Sequence, residues 1–203
     1  MRVRGAPLTE ALAVALCAAH TLFWVTGSFG EAVNAGALVP ARIVGEVGGG
    51  LVPVWLTSLS SAFLHANLLH LAFNAVVLVY CGAAVERSHG PGRLGLLLLV
   101  GAYAASVFQV TFAPHSTVPV IGASGAISAV IAAYALLSGT GRARRLGPLS
   151  PALVNALWLF AAWVGLNILQ GILFETVGLS LAIGAHIGGF AAGLILMPLM
   201  SRR

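Results

Sequence analysis

Gly122-Ala123-Ser124-Gly125 opens an apolar stretch that runs from Ile121 to Ser138. A serine set between glycines can be approached closely by another helix, because its glycine neighbours carry no side chains. Taken alone, Ser124 reads first as part of the small-residue packing surface of a membrane helix. His186 changes that reading, since it lies in a second apolar stretch, Gly184-Ala185-His186-Ile187-Gly188-Gly189. An ionisable group inside lipid is costly and points to function by default. A third stretch reads His65-Ala66-Asn67-Leu68-Leu69-His70-Leu71-Ala72-Phe73-Asn74. On a helix, Asn67, His70 and Asn74 would share one face at i, i+3 and i+7, and hydrogen-bonding groups there need partners. For Asn67 a bond to another helix is the plainer account.

These residue types divide into roles for acyl transfer. An imidazole within about 3 Å of the Ser124 hydroxyl can take its proton and pass it to a leaving amine. His186 is the candidate base. His70 and Asn74, with the Ser124 N–H at a helix start and the Gly122-Ala123 backbone leading into it, are candidates to stabilise a tetrahedral oxyanion. Metal binding by His65, His70 and His186 is the competing chemistry. It ranks lower, because neither carboxylate nor cysteine joins them and an i, i+5 spacing splays His65 from His70. The sequence has no Asp, and Glu10, Glu31, Glu46, Glu86 and Glu175 all fall in loops or at span ends. A Ser-His-acid triad on the helices is thereby excluded, leaving a dyad. The soluble G-x-S-x-G elbow is excluded too, because position 126 is Ala and no strand precedes it.

The elements that must position these groups are membrane helices. Of the 203 residues, 59% are hydrophobic and 7% charged, and the mean hydropathy of +1.00 is too high for a soluble domain of this length. With about twenty residues per span, six are expected: 8–27, 63–82, 94–113, 121–138, 151–169 and 179–200. The first follows Arg2 and Arg4 like a signal peptide, but it is longer than a usual h-region and lacks a small-x-small exit. It is read as a helix. The net charge of +5 lies in loops and tails beside the spans, which makes it a topology signal and no indication of nucleic acid. Nine arginines fall on one side and only Arg42 on the other, so both termini are expected in the cytoplasm. The chain reads as one domain, 1–203, with a long, oddly apolar outer loop over 28–62 whose Trp55 suits a membrane interface. Ser150-Pro151 reads as an N-cap followed by a first-position proline. Cys17 and Cys81 lie apart in apolar stretches and indicate neither a disulfide framework nor a zinc site.

In this arrangement the N-terminal ends of spans two, four and six gather at the outer face. Ser124 would lie roughly 5 Å below the start of its helix, and His70 and His186 roughly 10 Å below theirs. The polar groups of three helices therefore share one slab of the bilayer.

The sequence resembles the rhomboid family of intramembrane serine proteases, whose fold is an all-α bundle of six transmembrane helices. Gly122-Ala123-Ser124-Gly125 matches the family's G-x-S-G, and Ala185-His186-Ile187-Gly188-Gly189 its A-H-x-x-G. His65, His70 and Asn74 match H-x4-H-x3-N in the second helix, and Gly82-Ala83-Ala84-Val85-Glu86-Arg87 the loop that follows. The resemblance implies Ser124 as nucleophile, His186 as general base, and His70 and Asn74 at the oxyanion site. It further implies that His65 orders the outer loop and that Glu86 is structural at the cytoplasmic end, with Gly125 and Gly189 in supporting positions. Membrane-spanning proteins would be cut near the outer boundary of the bilayer, often after small residues, with span five and its neighbouring loop implicated in substrate access and no metal or nucleotide required. A bacterial plasma membrane with the site towards the extracytoplasmic side is the expected location. Two positions depart from the pattern: Ser128 stands where many bacterial relatives carry an aromatic that stacks on the histidine, and Trp55-Leu56 where they carry Trp-Arg.

Two other functions fit the sequence less well. An inactive rhomboid-like binder of membrane helices would need neither Ser124 nor His186, and a transporter would show repeated broken helices and a central polar site. The Gly189 to Gly193 spacing reads as packing of span six on span four within one chain, which makes a monomer the expected state.

Overall fold

The computed structural model of the chain describes residues 5–138, 145–173 and 182–201. Its helices, in chain order, are α1 (Pro7–Val25), α2 (Phe29–Gly36), α3 (Pro40–Ile43), α4 (Thr57–Ser60), α5 (Leu68–Val77), α6 (Ala83–His89), α7 (Pro91–Phe112), α8 (Ser124–Ser138), α9 (Pro151–Leu173) and α10 (Ile183–Met200). No strand runs through the described residues, although Leu38 and Val120 form one isolated antiparallel bridge and Leu146 and Leu149 another. The π-helical turn Leu78–Gly82 joins α5 to α6 as one continuous helix. Among the described residues, four helices are long and apolar enough to cross a membrane: α1, Leu68–His89, α7 and α10.

Local chemistry explains several boundaries. Proline occupies the first turn of α1, α7 and α9, where its missing N–H has no helical acceptor to lose. The Ser150 hydroxyl accepts the Leu153 N–H at 3.3 Å, closing the cap expected there. At α5 the expectation is corrected. The helix begins at Leu68 rather than near residue 63, because Asn67 is its N-cap: its Oδ1 accepts the His70 N–H at 2.8 Å. Asn67 thus satisfies its own helix and needs no partner on another. The expected start of span six at residue 179 lies outside the described residues, and so do Glu175 and the loop that follows span five.

α8 is the axis of the bundle. Every residue from Ser124 to Ala133 is buried, as befits a helix apolar on all faces. At 15 residues it extends roughly 22 Å, and being surrounded by protein it need not match the bilayer. α7 and α10 close on it backbone to backbone. A Cβ at Gly189 or Gly193 would collide with the carbonyl oxygens of Gly125 and Ala129 on α8, and one at Gly101 of α7 would lie 2.7 Å from the Ala129 methyl. Gly188 meets α7 in the same way, 2.5 Å from the Ala104 carbonyl. The Gly189-Gly193 pair therefore packs within the chain, on the helix that carries Ser124.

At the opposite end of the bundle, Glu86 is buried at 2% exposure and receives three hydrogen bonds from the start of α1. The donors are the Leu8 N–H at 2.9 Å, the Thr9 N–H at 2.8 Å and the Thr9 hydroxyl at 2.7 Å. A carboxylate there satisfies orphan donors and complements the positive end of the helix.

Residues 28–62 form several short helical segments, with one irregular stretch over 44–53. The buried Arg42 guanidinium donates to the Val52 carbonyl at 2.8 Å. On the outside, Leu51, Trp55 and Val54 stay exposed, an apolar rim for a segment expected to sit partly in lipid.

Candidate active site

Ser124 is the first residue of α8 and His186 the fourth of α10. The glycine contacts between these helices bring the two side chains together: His186 Nε2 lies 2.9 Å from Ser124 Oγ. Both are buried, at 3% and 8% exposure, so bulk water does not compete for the bond. His186 Nδ1 is buried with no hydrogen-bond partner among the described residues. The residue before it is tied to α7, where the Gln109 side chain accepts the Ala185 N–H at 3.2 Å.

The approach to Ser124 is shaped by Gly122. Its φ of +103° favours glycine alone, and a Cβ at that position would lie 2.5 Å from His70 Nε2. The missing side chain is what lets the His70 ring lie over the backbone two residues before the serine. This lead-in is clamped from the first loop: the Gly122 N–H donates to the Ser61 carbonyl at 2.9 Å, and the Val120 N–H to Leu38 at 2.7 Å. The N–H groups of the first turn of α8 have no acceptor within their own helix and mark an anion-favouring end.

His70 sits in the first turn of α5. Asn74, one turn further on and buried, donates one Nδ2 hydrogen to the His70 carbonyl at 2.9 Å, and its Oδ1 has no partner among the described residues. His65 is buried too, with its ring edge-on to His70 at a centroid distance of 5.0 Å. The expectation that an i, i+5 spacing keeps these rings apart is corrected: His65 precedes the helix, so helical geometry does not govern the pair. Among the described residues no three His, Cys, Asp or Glu side chains converge as a metal-binding group.

The three groups share one position relative to their helices. In helices that start at Leu68, Ser124 and Ile183, His70, Ser124 and His186 all stand in the first turn. Beside Ser124 a cavity of about 30 Å³ is lined in part by Ser58, Ser61, Ser106, Gly122 and Gly125. That is roughly the volume of one water molecule or a methyl group.

Several contributors escaped the sequence reading. Gln109 and Ser106 were polar residues in an apolar span, a signal that was present but unused. Trp163, from α9, lies edge-on to His186 with centroids 6.2 Å apart. Nothing in its spacing from His186 announces that contact.

A sequence profile described as "Rhomboid domain" matches residues 53–203. The chain is 34% identical over 140 residues to rhomboid protease GlpG of Serratia proteamaculans (strain 568), covering 68% of this chain and 45% of that protein. It is 31% identical over 144 residues to rhomboid protease GluP of Bacillus subtilis (strain 168), covering 68% and 25%. With rhomboid protease GlpG of Yersinia enterocolitica serotype O:8 it shares 29% identity over 198 residues, 97% of this chain and 63% of that one. The chain thus spans about half the length, or less, of most of the curated relatives it matches.

Proposed function

The chain belongs to the rhomboid family of integral membrane proteins, and from that premise we propose that it is an intramembrane serine protease that hydrolyses a peptide bond in or beside a membrane-spanning segment. The observation that carries this reading is the buried 2.9 Å contact between Ser124 Oγ and His186 Nε2.

In the mechanism this geometry supports, His186 carries its proton on Nδ1, so that Nε2 accepts from the Ser124 hydroxyl. Ser124 Oγ attacks the scissile carbonyl as Nε2 takes the proton, and a C–O bond forms while the carbonyl π electrons move to oxygen. The oxyanion faces the Ser124 N–H at the start of α8 and the His70 ring over Gly122, with Asn74 holding the His70 backbone below. Collapse of the tetrahedral species breaks the C–N bond, and the imidazolium gives its proton to the departing amine. A water molecule then attacks the acyl-serine, with Nε2 as base, and releases the acid. The small cavity beside Ser124 suits a water or a small side chain next to the scissile bond, which agrees with cleavage after small residues.

The topology that goes with this reading is one membrane domain of six passes, formed by α1, α5 with α6, α7, α8, α9 and α10. Both termini lie in the cytoplasm and the site opens to the extracytoplasmic side of a bacterial plasma membrane. Its support is the one-sided distribution of arginines. Substrates are membrane-spanning proteins, and the chain works as a monomer without a metal.

A serine-directed fluorophosphonate tests the reading on detergent-solubilised protein. Labelling is expected in the wild type, lost in Ser124→Ala and strongly reduced in His186→Ala. Equal labelling in all three proteins, or cleavage of a reporter membrane substrate that stops on chelation, would overturn it.

A further inference from the structure

The His186 ring is fixed at one end only. Nε2 meets Ser124, and among the described residues Nδ1 meets no partner. An imidazole held at a single atom rotates about that contact, so its plane must be set by packing. Trp163 of α9, 3% exposed, lies against it at an interplanar angle of 64°. The indole is itself held: its Nε1–H donates to Ser128 Oγ at 3.0 Å. That hydroxyl, fully buried, donates to the Ser124 carbonyl at 2.8 Å. The four residues close a circuit, from the Ser124 hydroxyl to the His186 ring, on to the indole, to Ser128, and back to the backbone of Ser124.

We propose that Trp163 is a positioning residue for the general base: anchored by Ser128, it holds the His186 ring in the plane from which Nε2 accepts the serine proton. This rests on the protease reading above. The chemistry of each link accounts for its residue. An edge-to-face pair of rings resists rotation without needing a charge. Indole, unlike phenyl, carries a donor that can tie it to one spot. The serine hydroxyl at 128 can accept from the indole while donating to the Ser124 carbonyl, which ties the indole to α8. In this chain the ring that meets His186 reaches in from α9, and α8 and α10 stay in close contact. One consequence is that α9 takes part in setting the dyad: displacing α9 from α8 withdraws the indole and frees the imidazole to turn.

The alternative is that Trp163 only fills space, as Phe160 does one turn away, where its ring meets Phe190 at 4.4 Å. Variants of the full chain separate the two. Trp163→Ala is expected to slow fluorophosphonate labelling of Ser124 about tenfold and to lower kcat for a reporter membrane substrate by a similar factor, with KM changed less than twofold. Trp163→Phe, which keeps a ring edge, and Ser128→Ala, which removes the tether, are each expected to lose about two- to fivefold, so that Phe rescues most of the Ala defect. Phe160→Leu is expected to lower the melting temperature and leave the labelling rate within twofold. Equal labelling rates for the wild type and all three circuit variants overturn the proposal, as does a loss in Trp163→Ala that Phe160→Leu reproduces. Should Trp163→Ala fail to fold, Trp163→Phe and Ser128→Ala decide alone. An unlabelled wild type would remove the protease reading and this proposal together, whereas normal labelling of the wild type and of the Trp163 variants removes only the proposal.

Discussion

Gly122→Ala adds one methyl group at a point where two independent constraints meet. The backbone there has a φ of +103°, which costs a residue with a Cβ about 1–3 kcal/mol. The new carbon would stand 2.5 Å from His70 Nε2 and 2.6 Å from its Cε1. Ordinary contact between carbon and nitrogen begins about 1 Å further out, so the ring must retreat by about that amount or the lead-in must unclamp from Ser61. A displacement of about 1 Å in a group that stabilises charge costs on the order of a hundredfold in rate. The variant is therefore expected to remain folded with a modestly lower melting temperature. Its kcat/KM for a reporter membrane substrate falls about a hundredfold. Labelling and cleavage are measured beside thermal unfolding in the same detergent. A folded Gly122→Ala protein with cleavage within about threefold of wild type would refute the placement of His70 against the reacting carbonyl. His70→Ala offers a cross-check, because in that background the methyl has no ring to displace and Gly122→Ala should cost little more.

Glu86→Gln replaces one of two oxygens that accept three hydrogen bonds with an NH2 group facing donors. It is expected to lower stability by about 2 kcal/mol, read as a lower melting temperature with the labelling rate per folded molecule unchanged; an unaltered melting temperature would mean that α1 is not tied down by this carboxylate. Gly189→Ala sets a methyl against the Gly125 carbonyl, which has no rotamer with which to yield. Both stability and Ser124 labelling should fall, the first by about 1–3 kcal/mol, and a protein with normal values for both would show that α8 and α10 are not in backbone contact.

What was legible in the sequence, and what was not, follows a physical division. Helix placement was readable because apolar length is dictated by lipid, and the groups that needed each other, Ser124, His186 and His70, stood out as costly residues in apolar surroundings. Boundaries were misjudged where a polar residue ended a span from inside: Asn67 reads as part of a helical stripe, yet its side chain closes the helix behind it. The contact of His65 with His70 was hidden by the same error. Residues 28–62 lacked periodicity because their helical segments are only a few residues long and are held by tertiary contacts such as Arg42 to Val52. Trp163 was invisible for another reason. Its partners lie on α8 and α10, and the rotation of one helix against two others cannot be read along a single helix.

The backbone contacts among α7, α8 and α10 have a thermal consequence. A junction made of carbonyls against α-carbons has no side-chain rotamers to populate as temperature rises, so the separation between the serine and histidine helices is expected to hardly change on warming. Whatever steepness the turnover rate shows with temperature would then arise in parts of the molecule that can loosen, such as the helix carrying the indole and the segments above the serine, while the reacting groups themselves wait in fixed register.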